Sequence, residues 1–393
     1  MGTMLKYGSE SAKSFYLNYL VEPRFSKAHQ DGEIHIHDLD FYSLTMTCCQ
    51  IDLIKLFKGG FSTGNGFLRE PNDIRSYAAL ACIAIQADQN DMHGGQSIPN
   101  FDYSMALGVR KTYRKLYMAN LAKLLEFVKG EDCTEKVKEL IETIEKKHQF
   151  KIAMVRPDID QMVAEEVKDI FALDDATTQK IMKETVNASY KETRRATYQA
   201  MEALLCNLNT MHSRAGAQVP FSSINYGTDT SEEGRMVMDC LLDATEAGLG
   251  DGETPIFPIQ IFKVKEGISY NPGDKNYDLF KKSLVVSGKR LFPNYSFIDA
   301  PFNLQYYKEG DYNTEIAYMG CRTRVIANVY DPTKEIVTGR GNLSFTSINL
   351  PRAAIKTRKY NVFIKEVDRL IDLVIDQLLE RFDFQCTKKV YNF

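Results

Sequence analysis

Apolar residues recur at helical spacing over residues 9–30, where Phe15, Leu17, Leu20 and Val21 form a stripe and Ser9 or Ser11 can cap. Glu33-Ile34-His35-Ile36-His37-Asp38 alternates with period two, which predicts a strand. Asp73–Met92, with Ala78, Ala79, Ala81, Cys82 and Ile85, predicts a long helix stopped at Gly94-Gly95, and Phe101–Lys129 predicts another. Over residues 130–200, Val137, Leu140, Ile141 and Ile144 make one apolar stripe among Glu and Lys, so this stretch reads as helical and as a candidate insertion. From Gln218 strand signals rise: Val219–Tyr226 and Ile256–Phe262 flank a predicted helix over Glu232–Ala247. Val362–Glu380 predicts a last amphipathic helix. The alternation implies an α/β architecture with near-parallel strands.

The bulk numbers narrow the function. The chain has 393 residues, 44% hydrophobic and 26% charged, as in an ordinary globular protein. A formal net charge of −3 argues against nucleic acid or an anionic membrane as partner. No apolar run reaches the roughly 20 residues of a membrane span, and the N-terminus lacks the apolar core of a signal peptide. The 8 cysteines are scattered apart from Cys48-Cys49, and no C-x-x-C occurs, so a zinc ribbon or dithiol redox pair is not expected. Reduced thiols and a cytoplasmic setting are the expectation.

Three groups are candidates for chemistry. His35 and His37 share one strand face and could join Cys48 or Cys49 at a metal, but a fourth ligand is lacking. The pattern alone favours packed cysteines and hydrogen-bonded histidines, and no metal site is expected. Gly59-Gly60-Phe61-Ser62-Thr63-Gly64-Asn65-Gly66 lacks the Gly-Lys-Ser/Thr ending of a phosphate loop and reads as a turn. In Ala317-Tyr318-Met319-Gly320-Cys321-Arg322-Thr323, Cys321 is either a buried structural cysteine or a reactive thiol beside Arg322. Asn342 alone reads as a turn residue.

Taken together, the motifs resemble those of the class III (anaerobic) ribonucleotide reductases, which are glycyl-radical enzymes. His35-Ile36-His37-Asp38-Leu39-Asp40-Phe41 resembles the family's H-x-H-D-L-D-[FY] segment. Cys48 before Ile51-Asp52-Leu53, Gly94-Gly95-Gln96 and Gln218-Val219-Pro220-Phe221 match further landmarks. So do Thr254-Pro255-Ile256-Phe257-Pro258, Gly273-Asp274-Lys275-Asn276-Tyr277-Asp278, Met319-Gly320-Cys321-Arg322 and Gly339–Arg352. The likeness runs from about residue 10 to about residue 360 and is weakest over 120–200.

The resemblance implies part of the α/β barrel of ribonucleotide reductases and glycyl-radical enzymes, with Cys321 on a finger loop. It implies that Cys321 becomes a thiyl that takes the 3′-hydrogen of a ribonucleoside triphosphate, and that Cys48 is the second active-site thiol. Met319 stands beside the thiyl, Asn342 belongs to the formate-using pattern, and His35 lines the site. The implied partners are nucleotide substrate and effectors, a radical-SAM activase and a second copy of the chain.

No R-V-[CS]-G-Y stretch and no paired C-x-x-C stand in these residues. The expectation is therefore a partial catalytic barrel over 1–393, without the ATP-cone domain and without the C-terminal zinc and glycyl-radical domain. A companion chain carrying that domain would be needed for turnover, and no cofactor-binding residue is assigned here. The alternative is a non-catalytic fragment that binds effectors or dimerises. A relative of pyruvate formate-lyase, suggested by Cys48-Cys49, fits less well because the thiyl candidate lies elsewhere.

Overall fold

The computed structural model describes residues 2–43, 46–213, 218–320, 323–324, 328, 330–334 and 336–389. The chain opens with α1 (Gly2–Phe15), a π turn over Tyr16–Leu20 and α2 (Pro23–Gln30). The single helix expected over 9–30 is thus two. Val21 and Glu22 have ψ of 134° and 137°, and at Glu22 the cause is the ring of Pro23, which disfavours helical backbone in the residue before it.

Next come β1 (Ile34–Ile36), β2 (Thr47–Gln50), α3 (Leu53–Phe57) and the hairpin strands β3 (Phe61–Ser62) and β4 (Phe67–Leu68). The hairpin occupies the glycine-rich loop. α4 (Ile74–Asp91) starts on an Asp73–Ser76 capping box. It ends before the expected stop, and Gly94-Gly95 lies inside a strand, β5 (His93–Ile98).

Four helices follow: α5 (Phe101–Lys129), α6 (Thr134–His148), α7 (Pro157–Ile170) and α8 (Asp175–Thr210). Val137, Leu140, Ile141 and Ile144 are all buried, as an amphipathic stripe requires. The α/β alternation then runs β6 (Ser222–Tyr226), α9 (Glu232–Ala247), β7 (Ile259–Val264), α10 (Tyr277–Arg290) and β8 (Asn294–Phe297). The strand expected from Ile256 begins only after Pro258, which has no N–H for a ladder. The remainder comprises α11 (Pro301–Leu304), β9 (Tyr318–Met319), β10 (Thr323–Arg324), β11 (Gly341–Asn342), β12 (Thr346–Ile348), α12 (Leu350–Thr357) and α13 (Tyr360–Cys386).

The main sheet has the order β11-β2-β5-β6-β7-β8. All of its pairs are parallel except β11 with β2. Its outer face is apolar: Ile98, Ile224, Tyr226, Phe262 and Val264 join one core with α4, α5, α8 and α9. A smaller core joins α2, β1, α12 and α13 through Phe25, Ile34, Ile36, Ala353 and Leu370. Such an open, mostly parallel sheet with helices on its outer face is part of an α/β barrel. No described helix is long and apolar enough to cross a membrane.

Candidate active site

The inner face of the sheet is polar, and the segment Glu315–Gly320, here called the finger, lies across it. Gln50 Nε2 donates to Ala317 O (3.4 Å), and Ser97 Oγ donates to Tyr318 O (2.8 Å). Asn225 bonds Tyr318 twice, accepting from its N–H at 2.9 Å and donating to its carbonyl at 2.8 Å. Lys263, 0% exposed, pairs with buried Glu315 at 3.0 Å and donates to Asn100 Oδ1 at 3.1 Å. The Thr228 hydroxyl also donates to Glu315, at 2.6 Å. Burial pushes the Glu315 carboxyl upward in pKa, and Lys263 and Thr228 oppose that shift.

Beneath this group, Asp102 accepts from the N–H groups of Gly227, Thr228 and Asp229 at 2.8, 3.1 and 3.0 Å. Asp229 itself is raised to about 6, by burial first and then by Asp102.

Cys48 stands where this segment meets β2. It has φ of 57°, a left-handed conformation uncommon for a residue with a side chain. Its register neighbours explain the conformation: Thr47 pairs with His93, but Cys49 pairs with Gln96, so β5 carries an extra residue at Gly94-Gly95. A side chain on Gly94 would meet Thr47 Oγ1 at 2.5 Å and Cys48 Sγ at 2.9 Å, and one on Gly95 would collide with the Gly320 backbone. The two glycines therefore make the space in which Cys48 and the finger approach each other. The Gly95 N–H donates to Cys48 Sγ at 3.2 Å, and the Cβ position of Gly320 lies 3.9 Å from that sulfur.

Of the residues picked from sequence, Cys48 is half-buried, and Met319 is fully buried in β9 against β2, β5 and β6. Asn342 lies in β11, paired with Thr47 beside Cys48. Cys321 lies outside the described residues. His35 is exposed on β1, which pairs with β12 and not with the main sheet. Its described ring contacts are His29 at 5.3 Å and His37 at 4.6 Å, and none joins it to Cys48. Asp38, 3.3 Å from His93 at the start of β5, and Phe41, stacked on the same ring, link these regions.

Cys49, next to Cys48, is pushed up to about 12 by burial first and by Asp88 second, which keeps its thiol protonated. Among the described residues, no three His, Cys, Asp or Glu side chains are placed to hold a metal ion. Sequence reasoning missed Gln50, Ser97, Asn225, Lys263 and Glu315. For the first four the signal was polar side chains inside buried strands, above all Lys263 within Ile259-Gln260-Ile261-Phe262-Lys263-Val264, whereas Glu315 lies in no strand and gave none.

A family model described as anaerobic ribonucleoside-triphosphate reductase matches residues 1–393. The anaerobic ribonucleoside-triphosphate reductase of Enterobacteria phage T4 is 27% identical over 370 residues, covering 92% of this chain and 51% of that protein. That of Escherichia coli (strain K12) is 26% identical over 374 residues, covering 94% of this chain and 43% of that protein. The chain spans about half the length of these curated relatives. Among solved structures, the Thermotoga maritima anaerobic ribonucleotide reductase in complex with dATP and CTP superposes with a TM-score of 0.54 at 11% identity, over 98% of this chain and 52% of that one. Another anaerobic ribonucleotide reductase gives 0.56 at 12% identity, over 98% and 50%. These structural likenesses carry the fold, and the match along the whole chain carries the kinship: the protein belongs to the anaerobic ribonucleoside-triphosphate reductase family.

Proposed function

We propose that the chain is the thiol-bearing portion of the catalytic barrel of an anaerobic ribonucleotide reductase, converting ribonucleoside triphosphates to deoxyribonucleoside triphosphates. The observation that carries this reading is the meeting of Cys48 with Gly320, the residue before Cys321, at the Gly94-Gly95 bulge. Two thiols on different elements can then address one ribose. Met319 and Gly320 are buried, which suits a thiyl that must be kept from solvent.

In this reading a glycyl radical, installed by a radical-SAM activase on the remainder of the enzyme, supplies the one-electron oxidation. Cys321 takes the 3′-hydrogen, the 2′-hydroxyl leaves as water with the 3′-hydroxyl proton, Cys48 delivers a hydrogen to C2′ and is restored by formate, and Cys321 returns its hydrogen to C3′ and is a thiyl again. Formate provides the two electrons and is oxidised to carbon dioxide, with Asn342 on the wall of the site. Structural zinc belongs to the remainder of the enzyme. The described cysteines are all free, in keeping with a reducing, cytoplasmic setting.

Effector binding and dimerisation form a second reading compatible with the first. Its support is a cavity of about 400 Å3 between α4, α5 and α8, lined by Asp73, Arg75, Thr112, Lys115, Arg195 and Gln199. Its mixed charges suit a nucleotide held by a few placed groups.

The test is anaerobic deoxynucleotide formation. The lone chain gives none even with activase, and adding the remainder of the enzyme as a separate polypeptide gives turnover. Cys321→Ala then abolishes turnover, because alanine has no S–H to oxidise to a thiyl. Product from the Cys321→Ala complex would overturn the mechanism.

A further inference from the structure

The four side chains that hold the finger come from four adjacent strands and form one row. Gln50 and Ser97 are register partners. Asn225 lies two residues beyond Ser223, the partner of Ser97, and Lys263 lies two beyond Ile261, the partner of Asn225. Steps of two stay on one face, so the row runs diagonally, as it does across the tilted strands of a barrel.

The row has two kinds of contact. Gln50, Ser97 and Asn225 bond backbone atoms of the finger, at Ala317 and Tyr318. Backbone groups repeat at every residue, so these bonds would be met equally by a finger slipped along its own length. β9 is only two residues long and does little to fix its own register. Lys263 alone meets a finger side chain, Glu315. A lysine with no exposed surface is rare in a strand, and such a pair gains little net stability over an apolar one. The use best attested for buried ionic groups is to specify register.

We propose that Lys263 and Glu315 are positioning residues that pin the register of the finger. They set Met319 and Gly320 against Cys48. Thr228 and Asn100 complete the pin by holding Glu315 and Lys263 from β6's end and α5's start. The catalytic meaning rests on the reductase reading, whereas the pin itself does not.

The test uses the full chain with Lys263→Met, Glu315→Gln and the double variant Lys263→Met/Glu315→Met. Two local readouts are amide exchange of Tyr318, by mass spectrometry with fragmentation, and iodoacetamide alkylation of Cys48, resolved from Cys49. The melting temperature is the global readout. Both single variants should speed Tyr318 exchange and Cys48 alkylation by about tenfold or more, since a broken buried pair leaves an uncompensated group. The apolar double should regain a wild-type melting temperature, because such replacements are often neutral. It should nevertheless keep the fast exchange and alkylation, because methionines do not specify register.

A double variant that restores the local readouts together with stability would reduce the pair to filler and overturn the proposal, as would single variants that leave both local rates unchanged. Should the single variants not fold, the double decides alone. Neither local readout involves nucleotide reduction, so failure of the reductase reading would leave these shifts in place, and failure of the pin would leave activity in place.

Discussion

The two faces of the main sheet are both buried, yet they are built from opposite materials. The outer face presents Ile98, Ile224, Phe262 and Val264 to the helices. The inner face presents Gln50, Ser97, Asn225 and Lys263 to the finger. Apolar burial is non-directional and rewards any close packing. Hydrogen bonds and ion pairs require a partner at one place and one angle, and a missing partner costs free energy. The outer face therefore holds the fold together, and the inner face holds one segment in one position.

The comparison breaks if the outer face is not where stability resides. Phe262→Ala, at a fully buried ring, should cost about 3–5 kcal/mol in chemical denaturation. A loss under about 1 kcal/mol would show that the core lies elsewhere.

The polar side predicts a pH signature. Asp229 is raised from 3.8 to about 6, so the folded state binds its proton more tightly than the unfolded state. Its contribution is fully present below about pH 4 and is lost as pH rises through about 6. Asp229→Asn, neutral throughout, should gain on the wild type by about 2–3 kcal/mol between pH 4 and pH 7. Asp88, also raised to about 6 by burial first and Asp91 second, titrates equally in both proteins and cancels in the difference. A pH-independent difference between the two would contradict the assignment.

Gly95→Ala sharpens the comparison at the contact itself. The added methyl collides with the Gly320 backbone, and overpacking of this kind costs about 1–3 kcal/mol. Because the finger is the part able to yield, Cys48 alkylation should rise while the helical core is unchanged by circular dichroism. Unaltered alkylation would mean that the finger does not cover Cys48.

The smallest global effect belongs to Asn225→Ala. It removes both side-chain bonds to Tyr318 together with the donations to Ser97 Oγ and the Ile98 carbonyl, and should cost about 1–2 kcal/mol overall. Tyr318 amide exchange should nevertheless accelerate well beyond that of the outer-face strands. Uniform acceleration along the chain would erase the distinction between the faces.

The sequence made the outer face far more legible than the inner one. Period 3.6 placed α4, α5, α9 and α13 within a few residues, because those helices bury one stripe against one core. The break before α2 was visible in principle, because Pro23 keeps Glu22 out of helical backbone. Cys48, Met319 and Asn342 came from motif resemblance, and the structure sets them around β2 and the finger strand. His35 came by the same route but stands on a separate small sheet.

Gly94-Gly95 was noticed and misplaced. A glycine pair after a helix looks the same whether it ends the helix or bulges the next strand, and only pairing with β2 decides. Lys263 stood out as a lysine inside an apolar strand, but its pairing with Glu315 was not legible, because an ion pair between distant segments has no local period.

The central proposal is that Cys48 and Cys321 are the two thiols of one site. It is tested most directly with Cys48→Ser in the assembled, activated enzyme and a ribonucleotide labelled at its 3′-hydrogen. The account predicts that no deoxynucleotide forms, while label is still lost from the 3′ position because abstraction precedes the step that needs Cys48. Deoxynucleotide formation at the wild-type rate by Cys48→Ser would contradict it.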